Sequence, residues 1–281
     1  MNAPAISGFV ISHNRAELIG SCLRSIRFVD DLVVLDKSST DATPVIAARY
    51  ADRVVSVPWS PTVEESRAAA LALCRHEWVV FLDDDELLSP EAIAFLHARR
   101  FDAEAYEVPL KHYVLGRFDP DAYYWPEYHL RVFRKGAVSF HPTVHGGLRR
   151  HSDHVARLMP ETGICIHHLS HRDTAQWIEK TNRYTSRPDR VRTDAESDLI
   201  GFAHARIDQW RAQGGTTDPT GYPAAAALLR AVYDMIDRLK CWEEAQGLNG
   251  AAAFAARCAA LEQAYDELER RTGIRTGATL S

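Results

Sequence analysis

The stretch Trp78-Val79-Val80-Phe81-Leu82 runs straight into Asp83-Asp84-Asp85-Glu86, and this junction constrains the chain more than any other segment. A continuous apolar run with β-branched and aromatic residues suits a central parallel strand covered on both faces. In open α/β sheets ligands sit beyond the carboxyl ends of such strands, which is where the four acidic residues fall. Carboxylates crowded there repel one another unless a cation or hydrogen-bond donors offset the repulsion. Oxygen ligands of this kind suit Mg²⁺ or Mn²⁺, held by one or two carboxylates while substrate phosphates complete the shell. The plainer alternative is an acidic cap before a helix opening at Ser89-Pro90-Glu91.

Upstream, strand and helix patterns alternate: strand Ile6 to Ser12, helix from about Arg15 to Arg27, strand Leu32 to Asp36, helix from about Thr43, strand Arg53 to Val57, helix from about Thr62. Leu18, Ile19, Cys22, Leu23 and Ile26 share one face at helical spacing. Ser39-Thr40-Asp41 before Thr43-Pro44 reads as a cap followed by a proline whose missing N–H does little harm. Such alternation predicts right-handed crossovers, a mostly parallel sheet and a nucleotide-binding type of α/β layer.

After Phe101 the alternation weakens into strands around Ala105 to Val114, His129 to Lys135 and Gly163 to His168, joined by loops rich in Tyr, Trp, Pro and His. From about Asp173 the chain turns helical, with a linker from Gln213 to Pro219. The expected division is an α/β domain over 1–172, made of a nucleotide-binding half (1–100) and an acceptor half (101–172), followed by a helical C-terminal region over 173–281. In that region Leu228, Leu229, Val232, Ile236 and Leu239 form an apolar stripe expected to pack on the main domain, and the Ala-rich Ala251 to Leu268 stretch is a candidate partner for it.

A chain of 281 residues with 46% hydrophobic content can bury a substantial core. Its net charge of -5 and pI near 6.2 argue against a generic nucleic-acid binder. Cys22, Cys74, Cys165, Cys241 and Cys258 are widely spaced and lack any CxxC pair, which fits reduced thiols and a cytoplasmic location. The first fifteen residues read as the approach to a strand rather than a signal peptide. No apolar segment is long enough to span a bilayer, so any membrane association is expected to be peripheral. Residues 224–271 carry more acid than base, which disfavours an electrostatic membrane anchor.

Three segments together resemble a family 2 glycosyltransferase of the GT-A fold: Ile11-Ser12-His13-Asn14, then Val34-Leu35-Asp36-Lys37-Ser38-Ser39-Thr40-Asp41, then Arg67 on a helix leading to Phe81-Leu82-Asp83-Asp84-Asp85-Glu86. The resemblance implies a metal-dependent, inverting transferase that takes a sugar from a nucleoside diphosphate-sugar donor to an acceptor hydroxyl. It implies that Asp36 accepts from the nucleotide base, that Asp83 faces the ribose or base, and that Asp85 holds the metal on the diphosphate. Asp36 could equally cap the next turn. Asp84 is expected on the opposite face if the strand persists. Arg67 falls at the family position near the phosphates or base, with a solvated helix Arg as the alternative, while Ser12 and Asn14 would shape the nucleoside pocket or simply cap the first helix.

The second half is similar, more loosely, to the subfamily that extends lipopolysaccharide core oligosaccharides, through Tyr124-Trp125-Pro126-Glu127-Tyr128-His129-Leu130-Arg131-Val132-Phe133-Arg134. A carbohydrate or lipid-linked acceptor follows from it. Glu127 is the first choice for the base that takes the acceptor's proton, with Asp153 and Asp121 in reserve; its plainer role is a salt bridge to Arg131 or Arg134. Arg131 joins the substrate-binding candidates. His145, in Thr143-Val144-His145-Gly146-Gly147, matches a Val-His-Glu segment and is a candidate third metal ligand beside Asp85 and Asp83, although Gly146 replaces the usual Glu. Lys37, Ser38 and Ala68 also depart from the family pattern. Lys180 shares a helical face with Arg183 and Tyr184 and could clamp the diphosphate.

Rival readings are a sugar nucleotidyltransferase, which lacks its Gly-rich loop here, and a dehydrogenase, for which no GxGxxG follows the first strand. Seven histidines between His141 and His171 raise a zinc hydrolase, but there is no HExxH, and His167 and His168 on a strand would face opposite sides. A non-catalytic sugar-binding or scaffold protein that kept the fold and lost its base is the alternative that Gly146 motivates.

Overall fold

The structure is a computed structural model, which describes residues 3–60, 63–122, 124–141, 147–187, 198–214 and 218–273. The first half alternates strand and helix: β1 (Ile6–Ser12), α1 (Ile19–Ile26), β2 (Asp31–Asp36), α2 (Thr43–Ala47), β3 (Arg53–Ser56), α3 (Glu64–Leu73) and β4 (Trp78–Asp83). These four strands are parallel, in the order β3-β2-β1-β4. Register puts Ser12 beside Asp36 and Ile11 beside Asp83, so the carboxyl ends of β2, β1 and β4 open together on one edge.

Buried strands need apolar residues on both faces, and period-two alternation sorts them. Val10, Val34 and Leu82 face α1, whose Ile19, Cys22, Leu23 and Ile26 are fully buried, whereas Phe9, Leu35 and Phe81 face the side of α3. Phe9 and Phe81 stack at 5.1 Å. Gly8 permits the approach of α1, because a Cβ there would lie 3.1 Å from side-chain carbons of Ile26 and Val29.

The second half adds β5 (Glu86–Leu88), α4 (Pro90–Ala98), β6 (Ala105–Val114), β7 (Glu127–Arg134), the ribbon of β8 (Val138–Phe140) with β9 (Leu148–Arg150), β10 (Val155–Arg157) and β11 (Ile166–His171). β7 docks antiparallel against β4, then β6, β11 and β5 follow, with β10 beside β6. The sheet is therefore parallel through its first four strands and mixed beyond them. Ser89 caps α4, its Oγ accepting from the N–H of Ala92 at 3.1 Å, so the acidic run itself is not the cap.

Helices α5 (Thr174–Thr185), α6 (Leu199–Gln213), α7 (Tyr222–Ala245) and α8 (Gly250–Thr272) complete the described chain. α7 is tied to the end of β6 by Tyr222, whose hydroxyl contacts the carbonyls of Val114 and Arg117 at 2.7 and 2.8 Å. It packs on α6 and α5. Its buried residues include Ala226, Ala227, Ala231 and Cys241, while Leu228 and Leu239 of the expected stripe are half exposed. Small residues set close helix contact here, which an apolar count overlooks. The Ala-rich segment does not fold back on this stripe: α8 is exposed along nearly its whole length.

Candidate active site

β4 stops at Asp83, and the next two residues form a turn before β5. This decides where the acidic run points. Asp84 turns toward β1, accepting from Ser12 Oγ at 2.9 Å and Arg15 Nε at 3.2 Å; Ser12 alternates with Val10 onto the α1 face, so Asp84 lies opposite Asp83 although the strand gives way to a turn there. Burial, then the neighbouring Asp85, push its carboxyl up to about 7. Asp83 is gripped instead by Arg67, whose Nη2 lies 2.9 and 3.1 Å from its two oxygens, and by Arg131 at 3.1 Å. Against the opposing effect of burial, these guanidiniums hold it down to about 2. Both also lie over the Phe81 ring, at 5.4 and 4.6 Å.

Arg131 is 5% exposed and spends its other bonds on Glu86, which is fully buried, at 3.0 and 2.5 Å. It is therefore a buried strut under the site rather than a group offered to a substrate. Asn14 is also committed: with φ of 50° it bridges the loops after β1 and β2, its Oδ1 accepting from the N–H of Thr40 at 2.8 Å. Ser12 serves Asp84.

Asp36 ends β2 at 4% exposure. Its Oδ2 accepts from the N–H of Ser39 at 3.1 Å, whereas its Oδ1 is buried with no partner among the described residues. Asp36 and Asp83 flank β1, so they stand about two strand spacings, roughly 10 Å, apart.

Asp85 faces a different group of residues. His168 Nε2 lies 3.4 Å from one oxygen, while Lys180 Nζ at 3.3 Å and Arg15 Nη2 at 3.4 Å approach the other. Burial opposes ionisation, yet His168, Lys180 and Arg15 hold Asp85 well below the ordinary carboxylate range. His168 continues across the sheet: its Nδ1 is 2.8 Å from His112 Nδ1, and His112 Nε2 is 2.8 Å from Glu127 Oε2. Burial lowers His112, whereas His168 is raised, Asp85 outweighing burial. That assigns a charged His168 donating both ways and a neutral His112 accepting at Nδ1 and donating at Nε2. Glu127 receives a second contact from His129 at 2.8 Å, and these two imidazoles hold its carboxyl far below its ordinary value.

Glu127 thus pairs with histidines, not with Arg131 or Arg134; Arg134 reaches Glu77 and Glu104 instead. His145 and Gly146 lie outside the described residues. The imidazole brought to Asp85 is that of His168, whose neighbour His167 faces the other side and meets the Tyr113 hydroxyl at 2.9 Å. Arg15, Glu86, His112 and His168 are the site groups not singled out as candidates from sequence. A histidine alternating with Leu110 on a strand was the available signal for His112, but its pairing with β11 is invisible without the sheet register. Among the described residues no three His, Cys, Asp or Glu side chains gather as a metal cage. The donor set on hand is a carboxylate and an imidazole, which leaves room for phosphate oxygens to complete a shell.

Parallel strands whose carboxyl ends gather an orphan acceptor, ionised carboxylates and the cations paired with them make up an α/β enzyme architecture, and that architecture is the GT-A fold. The chain belongs to glycosyl transferase family 2, whose model matches residues 7–205. It is similar to an uncharacterized glycosyltransferase of Rickettsia bellii, 27% identical over 191 residues that cover 64% of this chain and 65% of that one. It is similar also to the lipopolysaccharide core biosynthesis glycosyltransferase LpsC of Rhizobium meliloti, 26% identical over 153 residues, 51% of this chain and 56% of that one. A TPR repeat-containing protein of Synechococcus elongatus is 32% identical over 139 residues, 44% of this chain and 34% of its own length. The chain thus spans about a third to two thirds of the length of the curated relatives it matches. Among solved structures, S. aureus TarS 1-349 in complex with UDP-GlcNAc matches with a TM-score of 0.44 at 12% identity, over 88% of this chain and 93% of that one. The glucosyl-3-phosphoglycerate synthase of Mycobacterium tuberculosis with Mn²⁺ and UDP-glucose matches with a TM-score of 0.32 at 30% identity, over 40% and 44%. No helix among the described residues is long and apolar enough to cross a membrane.

Proposed function

We propose that this chain transfers a sugar from a nucleoside diphosphate-sugar to a hydroxyl of a carbohydrate or lipid-linked acceptor, with inversion and with Mg²⁺ or Mn²⁺ at Asp85. The observation that carries the reading is Asp36 Oδ1, a buried acceptor without a donor among the described residues, at the mouth of the sheet. A buried polar atom of this kind is costly unless a ligand completes it. A uracil or guanine ring N–H is the matching donor, and the base then lies beside the acidic run that receives the ribose and diphosphate.

Asp83 keeps a quarter of its side chain exposed and reads a ribose hydroxyl while Arg67 holds it in place. Asp85 and His168 fit a divalent cation in oxygen and nitrogen donors and in the ionised state of the carboxylate; the ion would take the place of the proton on His168 Nε2. When bound, it would neutralise charge on the departing diphosphate. Arg15 and Lys180, already at Asp85, add positive charge for the same phosphates.

Glu127, nearly half exposed at the head of β7, is the base for the acceptor hydroxyl. His112 positions it from the buried side. His129 is the more exposed of its two donors, so an acceptor hydroxyl takes the place of His129 at Oε1 and Glu127 gains basicity as that donor leaves. In-line attack through an oxocarbenium-like transition state then needs positioning more than covalent help. The similarity to LpsC supports a cell-surface glycan acceptor, and five free cysteines support a cytoplasmic setting.

The test is donor hydrolysis: purified chain with Mn²⁺ and a panel of nucleotide sugars is expected to release nucleoside diphosphate slowly without acceptor. Nucleotide binding with no release from any donor would favour the non-catalytic reading instead.

A further inference from the structure

α8 carries a pattern that the fold does not use. From Ala251 its apolar residues recur at intervals of three and four: Ala251, Phe254, Cys258, Leu261, Tyr265 and Leu268. That is a heptad seam over three repeats, with Ala251, Cys258 and Tyr265 at a and Phe254, Leu261 and Leu268 at d. The helix is 23 residues long, about 34 Å at 1.5 Å per residue, and Asn249 caps it by accepting from the N–H of Ala252 at 3.0 Å. Along the seam Phe254 is 74% exposed, Tyr265 45% and Leu261 41%. Ala-rich composition makes the segment helical, but a seam of this kind gains its stability by burial against another helix.

The charges beside the seam say which helix. Positions e hold Glu262 and Glu269, and positions g hold Arg257 and Arg271. In a parallel pair the g residue of one helix meets the e residue of the following heptad on the other, which sets Arg257 against Glu262 in both directions. An antiparallel pair would set e against e and g against g, acid on acid and base on base. The seam is therefore complementary to itself in one orientation. We propose that α8 is a self-association element: two copies of this chain pair through it as a parallel, in-register coiled coil with a two-fold axis along the seam.

A membrane surface fits less well, because Glu262, Asp266, Glu267 and Glu269 crowd the flank that would meet anionic headgroups. Cys258 supplies an internal reporter. It is the one exposed cysteine among five, and the proposed register sets it against its own copy at an a layer.

The experiment is sedimentation of the full chain across a micromolar concentration range, with far-ultraviolet dichroism to confirm that each variant remains folded. The wild type is expected to sediment as a dimer and Leu261→Glu as a folded monomer. Arg257→Glu and Glu262→Arg are each expected to weaken the dimer about tenfold, from two lost pairs and two new repulsions, and the double variant to regain it. Diamide, which accepts the two thiol hydrogens, is expected to link wild-type chains through Cys258, and Cys258→Ser to abolish the link. A wild-type monomer at every concentration, a dimer indifferent to Leu261→Glu, or a double variant no tighter than the single ones would overturn the proposal. So would a monomer that co-sediments with phosphatidylglycerol vesicles.

Discussion

The two halves of the site are built on different plans. On the proposed donor side, Ser12, Asp36 and Asp83 stand at the ends of neighbouring parallel strands, each placed by the strand that precedes it. On the proposed acceptor side, the line from Glu127 through His112 and His168 to Asp85 runs across β7, β6 and β11, each member supplied by a separate strand or turn. The first group is thus set by chain-local geometry and the second by cross-strand register. A side chain at a strand end keeps its role when the sheet edge changes. One held in a lateral chain depends on every neighbour, because each imidazole's donor and acceptor roles follow from the next.

Removing the strut beneath the donor side sharpens the contrast most. Arg131→Met leaves Glu86 buried without its charged partner, and unfolding in urea is expected to show a loss of about 3–5 kcal/mol. A loss no larger than that of an exposed ion pair would mean that Arg131 is not the support described.

Glu127→Gln attacks the acceptor side. It is expected to lower the transfer rate about 10²- to 10³-fold while leaving nucleotide affinity within twofold, whereas Asp85→Ala is expected to lose about a hundredfold or more in Mn²⁺-dependent nucleotide binding. Equal loss of nucleotide binding in both variants would erase the distinction between the two halves.

A further effect is a pH dependence at the turn between them. Asp84 holds its proton more tightly folded than unfolded, with a value of about 7 against an ordinary 3.8. Its contribution to stability is full below the lower value and is lost as pH rises through the higher one. Asp84→Asn cannot ionise, so urea unfolding in chelated buffer is expected to find the variant gaining steadily on wild type as pH rises from 4 to 8. A constant difference across that range would contradict the assignment.

The same contrast explains what was legible in the amino-acid order. Strand ends follow from runs of apolar residues, so Asp36 and Asp83 could be placed at them in advance, and the first helix face of Ile19, Cys22, Leu23 and Ile26 came with them. The partners of Asp84, Ser12 and Arg15, were not foreseen, because nothing in four successive acidic residues marks where the strand gives way to a turn. Arg131 looked like a free guanidinium because Glu86, its partner, lies 45 positions away. His112 and His168 meet only through the pairing of β6 with β11, and that register is set by burial of Leu110 and Ile166 rather than by any local signal. In the helical region the apolar count favoured leucines, while close packing selected Ala226, Ala227 and Ala231.

The central claim is that a nucleotide base completes Asp36. Calorimetric titration of the chain with nucleoside diphosphates in Mn²⁺ tests it most directly. Either UDP or GDP, each offering a ring N–H, is expected to bind at least about tenfold more tightly than ADP, which offers none at that edge, and Asp36→Ala is expected to remove the preference. Equal affinity for all three, or a preference that survives Asp36→Ala, would contradict the account.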